Sequence, residues 1–167
     1  MGQKRLTDCD KIKLIYCKEA IIMDIPSKVK ALVESYKTNN PFQIADTLGV
    51  LVLITPLGNL KGCYKYLKRR KFIFINSNLD YNEQKVVCAH ELGHAIMHPK
   101  VNCSFMQSYT LLCTEKIEIE ANKFCSNLLL TDDILKDYEG YSCEQISQAT
   151  FIPVEIVRLR QAQQKMI

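Results

Sequence analysis

Apolar positions recur along the chain in two periods, and the change from one to the other divides it into elements. Val29, Leu32, Val33 and Tyr36 repeat at helical spacing behind Ser27, which predicts a helix capped by that serine. Asn40-Pro41 reads as a cap with proline at the first helical position, and Gly49 stops the short helix that follows. The period then shortens. Val50–Thr55 is a β-rich run closed by Pro56 and Gly58, and Gly62–Tyr66 and Phe72–Asn76 read as two further strands joined by a turn over Leu67–Lys71.

Helical spacing returns at Asp80. Asp80 and Glu83 form a D-x-x-E capping box, the apolar run Val86–Ala89 resumes as Ala95–Met97, and Pro99 ends the helix after His98. Residues 100–114 read as a loop. A second long helix is expected over Glu115–Leu130, with Ile117, Ala121, Phe124 and Leu128 as its core stripe. Short helices follow, over Ser142–Ala149 and Pro153–Gln163, while residues 1–26 have apolar positions without a clean period and form an extension of uncertain role.

The chemistry concentrates in the first long helix. His90-Glu91-Leu92-Gly93-His94 is a complete H-E-x-x-H. Positions i and i+4 share a helix face, so His90 and His94 can meet one metal ion. Glu91 then stands beside that ion, where a general base takes a proton from water. A catalytic zinc takes three protein ligands. His98 repeats the spacing once more, but a straight helix carries it about 12 Å from His90 at 1.5 Å per residue, too far to share one ion. His98 is therefore read as a helix-end or supporting group. Glu115, Glu118 and Glu120 on the next long helix are the carboxylate candidates. Glu118 and Glu120 flank the core stripe about equally, and periodicity does not choose between them.

Composition narrows the class. The chain has 167 residues, 47% hydrophobic and 24% charged, which suits one packed domain with an appendage and excludes general disorder. The net charge of +4 is compatible with nucleic acid or acidic partners without requiring either. The 8 cysteines include no C-x-x-C pair, so neither a zinc knuckle nor a disulfide scaffold is expected. No secretory leader is read at the start, Leu6 stands where a myristoylation signal needs Ser or Thr, and no apolar run is long enough to span a bilayer. A reduced, cytoplasmic protein without a membrane partner is the expectation. Nothing in the pattern specifies an oligomeric state.

Two basic features invite a nucleic-acid reading. Lys68-Arg69-Arg70-Lys71 is better explained as a solvated hairpin tip. In the tail, Ile146, Ala149, Ile152, Val157 and Leu159 have helix-turn-helix-like spacing around Thr150–Ile152, with Arg158, Arg160 and Lys165 nearby. Packing on the main domain or docking of a protein partner is the stronger expectation there.

The helix bearing His90-Glu91-Leu92-Gly93-His94 and His98-Pro99, followed by Glu118-Ile119-Glu120-Ala121-Asn122-Lys123-Phe124 and Leu128-Leu129-Leu130, resembles the ImmA/IrrE family of metallopeptidases. Asn40–Ala45, Lys61-Gly62 and Ile75-Asn76 are similar to that family too, so the resemblance runs from about Ser27 to Asp133. It implies an α+β fold: a mostly helical, zincin-like domain over residues 27–133, a small three-stranded antiparallel or mixed sheet, and a helical tail over 134–167. It implies Glu120, just before Ala121-Asn122, as the third ligand to zinc beside His90 and His94, with Glu91 as catalytic base and Asn122 in a supporting role. Manganese suits the same ligand set. Tyr64, Tyr66 and Tyr109 are unranked candidates for stabilising an oxyanion. The resemblance further implies a site-specific endopeptidase that cuts a helix-turn-helix repressor of a phage or mobile element. The alternative is a metal-bound regulator that sequesters a repressor, or contacts DNA, without cleaving anything.

Overall fold

The computed structural model describes residues 24–101 and 111–164, with side chains in the second span from residue 116 onward. The first helix, α1 (Ile25–Tyr36), starts earlier than Ser27: Asp24 is the cap, accepting from the Ser27 amide at 2.8 Å, with Pro26 in the first turn. Asn40 caps α2 (Pro41–Thr47) by accepting from the Phe42 amide. Three strands follow, β1 (Val50–Thr55), β2 (Gly62–Leu67) and β3 (Arg70–Asn76).

The sheet is mixed, in the order β1-β3-β2. β1 runs parallel to β3, with Val52 opposite Ile73, and β2 runs antiparallel to β3, with Tyr64 opposite Ile73. The hairpin between β2 and β3 is tighter than the sequence suggests. Leu67 pairs with Arg70, leaving only Lys68 and Arg69 in the turn, both left-handed at φ 47° and 63°. Two consecutive left-handed residues match the twist of a two-residue hairpin, a position usually signalled by Asn-Gly. Without that signal the turn reads as longer than it is.

The long helix α3 (Tyr81–Met97) has the capping box expected of Asp80 and Glu83. It lies on β2 and β3, and α2 closes the end beside β1. On its other side α3 packs against α4 (Leu111–Leu129), which begins inside the stretch expected to be loop. Gly93 allows this approach: a Cβ there would stand 3.2 Å from the Ala121 Cα and the Phe124 Cβ. The core forms in these layers, with Ile73, Ile75, Leu92, Phe124 and Leu128 all buried. Two free thiols are buried there as well, Cys88 on α3 and Cys125 on α4, the latter's Sγ lying 3.7 Å from the Val86 carbonyl oxygen.

α4 also carries α1 and the end of the tail. The tail comprises α5 (Asp132–Asp137), α6 (Cys143–Thr150) and α7 (Val154–Gln164). Its polar residues fix α7 to α4: Arg160 is buried, donates to the Leu130 carbonyl at 2.9 Å and pairs with Asp132. The Gln163 amide group donates to Ser126 and accepts from Asn127. Arg158 pairs with Glu144 at 2.7 Å. Two of the three basic residues that suggested DNA contact are therefore engaged within the protein, and Lys165 lies outside the described residues. No helix among the described residues is long and apolar enough to cross a membrane.

Candidate metal centre

The site forms where α3 and α4 face one another. One turn of α3 brings His90 and His94 together, with their Nε2 atoms 3.1 Å apart. Glu118 of α4 reaches both, its Oε2 at 3.2 Å from His90 Nε2 and its Oε1 at 3.4 Å from His94 Nε2. Among the described residues these three form the cluster able to hold a metal, their ligand atoms all within 4.8 Å of one another. Nitrogens about 2.0–2.1 Å from a tetrahedral zinc stand about 3.3 Å apart, so the donor set fits that ion. The ring of His90 is oriented for it. Its Nδ1 lies 3.0 Å from the Asn122 side-chain oxygen, which can only accept, so the neutral ring keeps its proton on Nδ1 and has Nε2 left for a metal. His94 is buried, with an Nδ1 that has no hydrogen-bond partner among the described residues.

Glu120 does not join this cluster. Its Oε2 lies 3.0 Å from His98 Nε2, one turn beyond His94, and Lys116 stands near its other oxygen. Positions 118 and 120 differ by about 200° around a helix, so a helix that turns one toward His90 and His94 turns the other away. The expected ligand was Glu120; the carboxylate that the structure brings to the two histidines is Glu118. His98 ends α3, its amide donating to the His94 carbonyl, and it meets Glu120 rather than the cluster. Glu115 and Tyr109 fall outside the described side chains.

Glu91 lies beside the histidines, 7% exposed, with an Oε2 that has no hydrogen-bond partner among the described residues. Burial raises its carboxyl above the usual range, opposed by the charges of His90 and His94 and by a hydrogen bond from the Tyr64 amide. That bond follows from the sheet register. Tyr64 sits at a non-hydrogen-bonded position of the hairpin ladder, so its amide points away from β3. The Tyr64 hydroxyl is committed elsewhere, donating to the Pro99 carbonyl at 2.7 Å, and it is no longer a candidate oxyanion donor. Tyr66 is half-buried two residues along the same strand.

β2 can lie this close to α3 because residue 62 is glycine. A Cβ there would stand 2.4 Å from Val87 Cγ1 and 2.9 Å from the Phe74 carbonyl oxygen. His90 and Glu91 open into a cleft of about 500 Å³, bounded by Gly62, Val86, Val87 and Asn122 and, from the tail, by Phe151 and Ile156. Sequence reasoning found the helix of this cleft but not its tail wall. Phe151 stands at a turn between two short helices, and nothing in its spacing points towards His90.

Comparison with known proteins agrees with the geometry. The chain is 40% identical over 139 residues to the uncharacterized immunity region protein 2 of Bacillus phage phi105, covering 81% of this chain and 88% of that protein. It is 31% identical over 133 residues to the metallopeptidase ImmA of Bacillus subtilis strain 168, covering 77% of this chain and 79% of that protein. Residues 45–160 match the model of the peptidase M78 family, described as the IrrE N-terminal-like domain. The matched span contains both helices of the histidine–glutamate cluster and runs on through most of the tail, and the chain belongs to that family.

Proposed function

We propose that this protein is a zinc endopeptidase that cleaves a helix-turn-helix repressor in the cytoplasm and so relieves repression of a phage or mobile element. The observation that carries the reading is the His90–His94–Glu118 cluster with buried Glu91 beside it. Family membership supports a metallopeptidase. The names of the two relatives, a phage immunity region protein and the metallopeptidase ImmA, support a setting in which a repressor is the substrate.

His90, His94 and Glu118 would hold the zinc. When bound, the ion polarises a peptide carbonyl and lowers the pKa of a water in its coordination sphere. Glu91, buried beside the histidines, would serve as the general base, taking a proton from the attacking water and returning it to the departing amine. The Tyr64 amide holds the Glu91 carboxylate against β2, and Asn122 holds the His90 ring in the tautomer that ligation needs. Binding to DNA through the tail loses its support, because Arg160 is buried and Arg158 is ion-paired.

Co-expression with the repressor encoded nearest to its gene tests the reading. Wild type should yield two repressor fragments by mass spectrometry, and Glu91→Gln one intact mass with zinc still bound. Intact repressor in both, with target genes still derepressed, would replace cleavage by sequestration.

A further inference from the structure

Phe151 is placed against two local preferences at once. It is the residue that ends α6, in the left-handed region at φ 58° and ψ 19°, where glycine or asparagine is the usual occupant. The residue is also 67% exposed. The conformation is fixed from both sides: Ser147 Oγ donates to the Ile152 carbonyl at 2.6 Å, and Thr150 Oγ1 donates to the Ile146 carbonyl at 2.7 Å. A bulky aromatic residue held in this way is better explained by what its ring meets than by what its backbone favours. The ring lines the cleft that contains His90 and Glu91.

The rest of that cleft explains why an aromatic ring belongs there. Beyond the two site residues, its lining includes Val86 and Val87 from α3 and Pro153 and Ile156 from the start of α7. Its other charged residues are Lys61, Glu83 and Glu155, of which Lys61 and Glu83 stand 3.7 Å apart and offset one another. Three of the four residues that the tail supplies, Phe151, Pro153 and Ile156, are thus apolar and face the cleft of the reacting groups, while the catalytic helix supplies the other wall.

We infer that Phe151 is a specificity-determining residue. With Pro153 and Ile156 it completes an apolar subsite that receives one large apolar side chain of the cleaved protein, immediately beside the bond that is cut. The inference rests on the endopeptidase reading. It assigns the C-terminal helices a part in substrate selection, distinct from binding DNA.

The test is a cleavage profile on a peptide library digested with the zinc-loaded full chain, comparing wild type, Phe151→Gly, Phe151→Leu and the inactive Glu91→Gln. Wild type should favour Leu, Met or Phe over Ala at one position flanking the bond. Phe151→Gly should reduce that preference by about tenfold, Phe151→Leu should restore most of it, and the glycine variant should melt no lower than wild type because it relieves the left-handed backbone. A role confined to folding predicts instead a lower Tm with an unchanged profile. Identical preferences in wild type and Phe151→Gly, or no apolar preference in wild type, would overturn the inference. No cleavage by wild type above the Glu91→Gln background would overturn the peptidase reading, and this inference with it.

Discussion

Glu118 and Glu120 are two residues apart on one helix, yet they serve different imidazoles: Glu118 meets His90 and His94, and Glu120 meets His98. Glu118→Gln should weaken zinc binding by at least about a hundredfold, more than loss of a supporting hydrogen bond costs. Glu120→Gln should leave it within about tenfold. Competition with a chromophoric chelator measures both, and equal losses would mean that the helix phase seen here is not the one that binds metal. The sequence left this choice open because the two glutamates flank the apolar stripe symmetrically, and burial of the stripe fixes the rotation of α4 only to within that ambiguity. The resemblance chose the neighbour of Ala121, whereas the packing of Gly93 against Ala121 turns that neighbour towards His98. The meeting of His90 and His94, by contrast, was legible from spacing alone, since four residues along a helix bring two side chains to one face whatever surrounds them.

Without metal, the same residues give the protein a characteristic pH response. Burial lowers the His90 pKa, but its bond to Glu118 and the nearby carboxylates outweigh this and leave it raised. Hydrogen bonds from His90 and His94 hold Glu118 well below the usual carboxylate range. The His90 contribution is present below its unfolded pKa of about 6.5 and lost as pH rises through its folded value. The Glu118 contribution is present above about 4.3 and lost as pH falls. Chelator-treated protein should therefore have its highest Tm between these limits and a lower one at pH 8. Zinc-loaded protein should show the opposite slope over pH 5.5–8, because imidazole must be deprotonated to ligate. Parallel Tm curves with and without zinc would contradict the ion-pair account.

At the level of elements, end signals were the most reliable part of the sequence. The capping box of Asp80 with Glu83 and the Asn40-Pro41 start form as read, while the cap of α1 lies three residues before Ser27, at Asp24. These signals act within one turn, so they survive whatever the rest of the chain does. Partner choice is not local. Nothing in Val50–Thr55 indicates that it pairs in parallel with β3 while β2 pairs antiparallel, because all three strands have similar apolar content and the order follows from how α3 covers them. The helix–helix contact at Gly93 carries a prediction of its own. Gly93→Ala gains helix propensity, but the added methyl meets the Ala121 main chain, which cannot swing aside. A net loss of about 1–2 kcal/mol is expected from overpacking, together with weaker zinc binding as α4 moves Glu118 away from α3. Thermal melting and zinc titration check the two effects. A stabilised variant with unchanged affinity would show the contact to be slack.

Across the whole molecule, the metal residues and the tail depend on the same helix. α4 holds Glu118 near one end and receives Arg160 and Gln163 near the other, so the two halves of the cleft are positioned by one rigid rod. The chain also contains its own gauge of that arrangement. Cys88 and Cys125 are buried on α3 and α4, Cys125 next to the cleft, and burial pushes both thiols up to about 12, so neither is a useful nucleophile while the helices stay together. Labelling of these two sulfurs by a maleimide must wait for the helices to part, which makes its rate a clock for opening of the metal centre. A zinc ion held by His90, His94 and Glu118 would tie α3 to α4 across that seam, so chelation should accelerate modification of the peptides containing Cys88 and Cys125 by at least about tenfold, while half-buried Cys63 and Cys143 change little. Equal rates with and without chelator would mean that the ion does not brace the seam. The expected result would make two unreactive side chains a means of following zinc release in the intact protein, without a substrate.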